Sequence, residues 1–250
     1  MIAGLIVVRS ITQALDLIGM FTFVAPVLFA AVVIYAAPSD RRFLWAALAL
    51  AAPPTVSLIT TWLPDAWLSL APGDWQNATP LLQDIGSGAR EIAGLAAPVG
   101  LALLGLALGG VRTFMSAVIL ALGALIAVAN VIWFSAQPLA GFPVLELARS
   151  VALSVLQVLG WAFVFAAALE SLLSLALVGS GLVFANVVIS AALLWWQPGS
   201  AGTDVVAVVS SLPAAIGWGL LIAAVLRGEV DAVPARSRAD RGSAVRRRAG

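Results

Sequence analysis

Along the apolar stretch at 147–169, Glu146, Ser150, Ser154, Gln157 and Trp161 recur every three or four residues, the spacing that lines up side chains on one face of a helix. Arg149 stands three positions beyond Glu146, close enough across one turn for an ion pair. A second polar group, Gln83, Asp84, Ser87, Arg90 and Glu91, lies at the start of another apolar run. Asn130 and Asn186 each sit well inside apolar runs of their own. Two kinds of chemistry fit these residues. In one, Asp84, Arg90, Glu91, Glu146 and Arg149 surround a water-filled vestibule that receives a polar or charged ligand, with Asn130, Gln157 and Asn186 deeper along the path. In the other, the charges rest at the level of lipid headgroups and the amides tie helices together, at about 0.6 and up to 1–2 kcal/mol per bond. The second is the simpler expectation, because polar groups in hydrocarbon cost energy and usually turn toward other helices.

Much other chemistry is excluded by residue type. The chain has no Cys and no His, which removes thiolate and imidazole nucleophiles, bases and metal ligands. All 13 of its basic residues are Arg, so there is no lysine for a Schiff base or a Ser–Lys dyad. Gly179-Ser180-Gly181 has the look of a serine nucleophile turn but no base to activate it. The carboxylates Asp16, Glu91 and Glu170 stand near the ends of apolar runs rather than as an acid–base pair or a metal cluster. The sequence therefore predicts no catalytic residues, no metal and no cofactor. Asn77-Ala78-Thr79 matches a glycosylation sequon, but Pro80 follows it and its use is not expected.

The elements that must hold these residues are read from hydropathy. Hydrophobic residues make up 62% of 250 positions, charged residues 10%, and mean hydropathy is +1.07. A soluble domain carries about 25% charge. The apolar runs are close to the ~20 residues that cross a ~30 Å hydrocarbon core as a helix. The expectation is an all-α integral membrane protein of about seven transmembrane helices, over 16–37, 43–63, 90–110, 113–135, 147–169, 173–196 and 205–226. Pro26, Pro53–Pro54, Pro98 and Pro213 should bend their helices. Gly105 and Gly109 form a GxxxG spacing that lets backbones approach.

Charge predicts the orientation. Placing the carboxyl terminus in the cytoplasm puts Arg41, Arg42, Arg112 and seven Arg of residues 227–250 inside, leaving only Arg9, Arg90 and Arg149 of the 13 outside. Positive loops are retained on the cytoplasmic side, so the amino terminus is expected outside. Trp62, Trp67, Trp75, Trp133, Trp195 and Trp196 then gather near the outer interface. Residues 1–15 read as an interfacial segment leading into the first span. Residues 227–250 read as a disordered, Arg-rich cytoplasmic tail, since they hold almost nothing to bury. Total use of Arg with abundant Ala, Val and Gly points to a bacterial cytoplasmic (inner) membrane.

A tandem hairpin repeat is also visible. Residues 120–131 resemble 175–187, and 160–171 resemble 217–228, sharing Asn130/Asn186, Gln137–Pro138/Gln197–Pro198 and a Gly–Trp pair. Such repeats are related about an axis along the membrane normal.

Two functions follow as expectations. One is a non-enzymatic accessory protein contacting a partner membrane protein, a second copy of itself or lipid through the outer loop 63–89, with Trp67 and Trp75 as anchors. The other is a small transporter or channel built on the vestibule. Nothing calls for nucleic acid.

Overall fold

The computed structural model describes the backbone of residues 2–70, 79–109, 118–119, 121–123, 125, 143–196 and 200–229. Side chains are described over 17–61, 85–109, the short stretches between 118 and 125, 151–193 and 211–229. Among these residues every regular element is a helix: α1 Ile2–Ala36, α2 Arg41–Leu70, α3 Thr79–Gly94, α4 Ala96–Gly109, α5 Pro143–Glu170, α6 Ser174–Trp196 and α7 Ser200–Leu226. Five segments are long and apolar enough to cross a membrane: Leu17–Ala36, Arg41–Thr61, Ile85–Gly109, Val151–Glu170 and Ser174–Leu193. A shorter apolar stretch, Ser211–Leu226, lies within α7. Residues 2–15, within the stretch 1–15 expected as an interfacial lead-in, belong to the unbroken helix α1. The expected span at 113–135 falls largely outside the described residues, as do 230–250.

Local chemistry sets the helix ends. Ala37 takes a left-handed φ of 44° and its N–H reaches the Val33 carbonyl at 3.0 Å; Pro38 cannot continue the helix. Asp40 then caps α2, accepting the Arg42 backbone N–H at 2.9 Å. The Arg42 guanidinium folds back onto the same carboxylate at 2.8 Å. The α5–α6 turn closes with the Leu173 N–H on the Ala168 carbonyl at 3.3 Å and Leu172 at φ 51°, an arrangement that usually uses glycine. The Ser171 hydroxyl donates to the Leu108 carbonyl, tying this turn to the end of α4. Past α7, Gly228 turns at φ 67°, and Glu229 accepts the Leu175 N–H and the Ser174 hydroxyl, each at 3.2 Å. That carboxylate meets the positive end of the α6 dipole.

The expected third span is covered by two helices: α3 starts at Thr79, and Arg90 and Glu91 lie within it. The helix breaks at Leu95, whose N–H reverts to the Ile92 carbonyl at 3.1 Å. Pro98 explains the break, because it has no N–H to offer the Gly94 carbonyl four residues back.

The helices close into a ring, each packed on the next in the order α1, α2, α4, α5, α6, α7 and back to α1. Small residues set the spacing. A Cβ at Gly109 would lie 2.9 Å from the Ala167 backbone, and one at Gly217 would lie 2.6 Å from the Gly179 carbonyl oxygen. Without a hydrophobic drive between helices in lipid, such close approach supplies the van der Waals contact that joins them. Direction follows from paired levels. Leu101 meets Gly160, Phe163 meets Gly105 and Ala167 meets Gly109, so α4 and α5 run parallel. Thr22 meets Ser211 at 3.4 Å and the rings of Phe29 and Trp218 lie 5.7 Å apart, so α1 and α7 run parallel too. Ile119 is buried with Ala102 and Phe163, while Gly123 lies by Pro98 and Leu156. The described residues at 118–125 thus run antiparallel to α4, in the groove between α4 and α5.

One half of the ring is packed shut. Val33, Phe43, Ala47, Leu104, Leu108, Ala168, Leu173, Leu221 and Val225 belong to one buried cluster, at the end that carries the 37–40 and 171–173 turns. Outside the ring, Leu17, Met20, Tyr35, Trp45, Ile59, Leu169 and Ile216 are exposed, an apolar belt suited to lipid.

Candidate functional site

Toward the opposite end, the ring encloses a cleft of about 630 Å³ lined by residues of α1 through α7. Proline accounts for much of its room. Pro26 on α1 and Pro53 and Pro54 on α2 all face it. Each takes away the donor for the carbonyl four residues earlier, and two of those carbonyls belong to Thr22 and Leu50, which are also in the lining.

The floor is aromatic. Trp161 of α5 and Trp218 of α7 meet edge to face at 5.4 Å and 89°, a favoured geometry because a ring's positive edge faces the other's negative face. Both are 5% exposed, and Phe29 packs on Trp218 from beneath. These two Trp are the Gly–Trp pair of the sequence repeat, so the matched positions converge on one contact.

One wall is polar. Gln157 of α5 and Asn186 of α6 both line the cleft on neighbouring helices, and both also line a smaller space of about 160 Å³ with Ser154 and Ser190. That space climbs between α5 and α6 toward the open end, since Ser154 precedes Gln157 on the descending helix and Ser190 follows Asn186 on the ascending one. Ser57 and Thr22 add hydroxyls on the facing wall. Thr22 and Thr60 also bond to their own helix carbonyls four residues back, at 2.9 and 2.8 Å.

Arg90 is the charged residue among the described residues of the lining. It is exposed and takes part in no ion pair among the described residues. Leu101 is level with the Trp floor through its contact with Gly160. Eleven residues separate Arg90 from Leu101, helical on both sides of the break at Leu95, a rise of at most about 16 Å. The guanidinium therefore sits at the mouth.

Of the residues expected to form a vestibule, Arg90, Gln157 and Asn186 thus line one cleft. Glu91, the next residue on α3, is half-buried and is not among the lining residues. Asp84 lies on α3, Glu146 and Arg149 on α5, and Trp67 on α2, in parts whose side chains fall outside the described residues. Asn130 and Trp75 lie outside them altogether. Ser180 is fully buried and donates to the Leu177 carbonyl at 3.2 Å. Its neighbour Gly179 serves the seam with α7, so the Gly-Ser-Gly triplet is a packing feature. No metal-holding group of His, Cys, Asp or Glu occurs among the described residues.

Sequence reasoning did not find Thr22, Ser57 or Trp218 as lining residues. Hydroxyls and Trp are common in membrane helices, and no periodicity relates α1, α2 and α7 to one another. The prolines carried the usable signal, since those of α1 and α2 sit at mid-helix beside these residues. Comparison with known protein families, curated proteins and solved structures finds no match.

Proposed function

We propose that this protein is a small-ligand carrier of the membrane, binding its ligand in the cleft between Arg90, the Gln157–Asn186 wall and the Trp161–Trp218 floor. The observation that carries this reading is a cleft enclosed by the helix ring that ends, on one side, on a tightly packed half of the bundle. A volume of about 630 Å³ falls within the roughly 300–1,000 Å³ of small-molecule sites. Mostly apolar walls with a few polar groups match such sites as well. The closed half favours a carrier over an open channel. The described lining supplies a cation, amides and hydroxyls for binding, and the proposal is one of binding and transport. The accessory reading rests on Trp67 and Trp75, whose side chains lie outside the described residues, so it is placed second.

The same proposal includes seven crossings of a bacterial inner membrane, with the amino terminus outside and the open end of the cleft facing out. Parallel α4 and α5 support the count, because neighbours pointing the same way need a return crossing between them. Residues 110–142 are long enough for one, which takes ~20 residues. The Arg bias toward Arg41, Arg42 and residues 227–250 supports the orientation.

The chain has no native cysteine, which permits a direct test. Asn186→Cys should react with a membrane-impermeant maleimide added outside intact cells. Ala224→Cys, in the sealed half where Ala224 is 1% exposed, should react only after denaturation. Protection of both positions in the folded protein would overturn the reading.

A further inference from the structure

We infer that the ligand of this cleft is an amphipathic anion, with a phosphate or carboxylate head held at Arg90 and an apolar body reaching down to Trp161 and Trp218. The inference rests on the cleft being a binding site and adds the chemistry of what it binds.

Three observations select this class. The charge of the lining is positive, on a guanidinium with no ion-pair partner among the described residues. Guanidinium presents a planar fork of donors that matches phosphate and carboxylate oxygens. A cationic ligand would meet repulsion at Arg90 and find no carboxylate among the described residues of the lining. Below Arg90 the surface becomes apolar, with Leu101 and Val183 level with the two Trp and Ala214 a turn above Trp218. A small inorganic anion would leave that surface wet and unused. The drop of at most about 16 Å from the Arg90 backbone to the floor, shortened by the reach of the arginine side chain, fits a head followed by a chain of several carbons. Gln157 and Asn186 stand between head and floor, where they suit an ester or hydroxyl oxygen near the head. They do not suit a charge, since amides offer no compensating charge for a buried ion.

Such an anion could arrive from water as an alkyl phosphate or fatty acid, or from the bilayer as an anionic lipid. The chemistry recognised is the same. The test uses the full chain in nanodiscs and follows its Trp fluorescence together with titration calorimetry. The probes are hexyl phosphate, hexanoate, inorganic phosphate and hexyltrimethylammonium. Saturable binding of hexyl phosphate or hexanoate is expected, with a change in Trp emission that Trp218→Phe diminishes. Arg90→Gln should weaken that binding by about tenfold or more, the scale of a lost charge-assisted contact, and Arg90→Lys should restore part of it. Arg90 is exposed and without an ion pair among the described residues, so these variants should fold. Repeating the titration in nanodiscs containing phosphatidylglycerol separates the sources: competition points to a lipid headgroup, its absence to a soluble anion, and both support the class.

Equal binding by Arg90→Gln, binding of hexyltrimethylammonium as tight as that of hexyl phosphate, or inorganic phosphate binding as tightly as its hexyl ester would each overturn the inference. Labelling of Asn186→Cys separates this failure from that of the carrier reading. If the cysteine labels while Arg90→Gln binds normally, the cleft stands and the ligand class falls. If it is protected, both fall.

Discussion

Asp40 shows how much a single side chain does at the edge of this bundle. Burial pushes its carboxyl upward in pKa, while the hydrogen bonds from the Arg42 side chain and backbone, and the Arg42 charge, pull it down. The net position is below the ordinary carboxylate value. A group depressed in the folded state contributes stability above its unfolded pKa, and that contribution is lost as pH falls through the folded value. Asp40→Asn should therefore lower the melting temperature slightly at pH 7 and have no effect once the pH is below the folded pKa of Asp40. Thermal melts at both pH values check this; an equal loss at both would assign the effect to something other than the charge. At this scale the sequence was partly legible. Gln157 and Asn186 stood out because an amide in an apolar run is conspicuous, and Arg90 because charge is scarce. Their sharing one vestibule was one of two readings the sequence left open, since the periodicity of one helix says which residues share its face but not what that face opposes. Thr22 and Ser57 were invisible for the same reason.

Among the elements, glycine decides which helices touch. Gly179 and Gly217 bring the α6 and α7 backbones together, and an added Cβ on Gly217 would lie 2.6 Å from the Gly179 carbonyl oxygen and 2.7 Å from Val183. Two positions on, Gly219 has nothing within 4 Å of an added Cβ. Gly217→Ala should thus destabilise the protein by a few kcal/mol through overpacking. Gly219→Ala should stabilise it by about 0.5–1 kcal/mol, the usual gain for alanine over glycine in a helix. Unfolding in mixed micelles compares the two, and similar behaviour of both variants would refute the seam. The GxxxG spacing of Gly105 and Gly109 was readable from sequence, and both glycines pack on α5. The seam on α6 and α7 was not, because Gly179 was read with Ser180 as a lookalike of a catalytic turn. Arg90 and Glu91 lower local hydropathy, so a hydropathy reading starts the span there, whereas the helix runs through both residues.

For the whole molecule, apolar content and run length made the helical membrane class readable from the start. Helix order around the ring was not, because it depends on contacts between residues far apart in the chain, such as Thr22 with Ser211. The orientation proposed for the bundle makes a prediction at this scale. A reporter active only in the cytoplasm, fused after Gly250, should be active, and one inserted at Leu70 should be silent. The reverse pattern would invert the map and place the open cleft on the cytoplasmic side.

The closure of α1 on α7 also bears on how the chain is made. Helices leave the ribosome in order, and α1 waits through every later helix before its lateral partner exists. A nascent chain halted before Ser211 is an open crescent. It turns Phe29 and Trp161 toward whatever lies beside it, because the ring that fills the space between them is Trp218. The Gln157–Asn186 wall then faces lipid or the insertion machinery instead of the cleft. Completion of the last helix is therefore a folding checkpoint. Truncations within α7 should be cleared by proteases rather than persist as partly working protein.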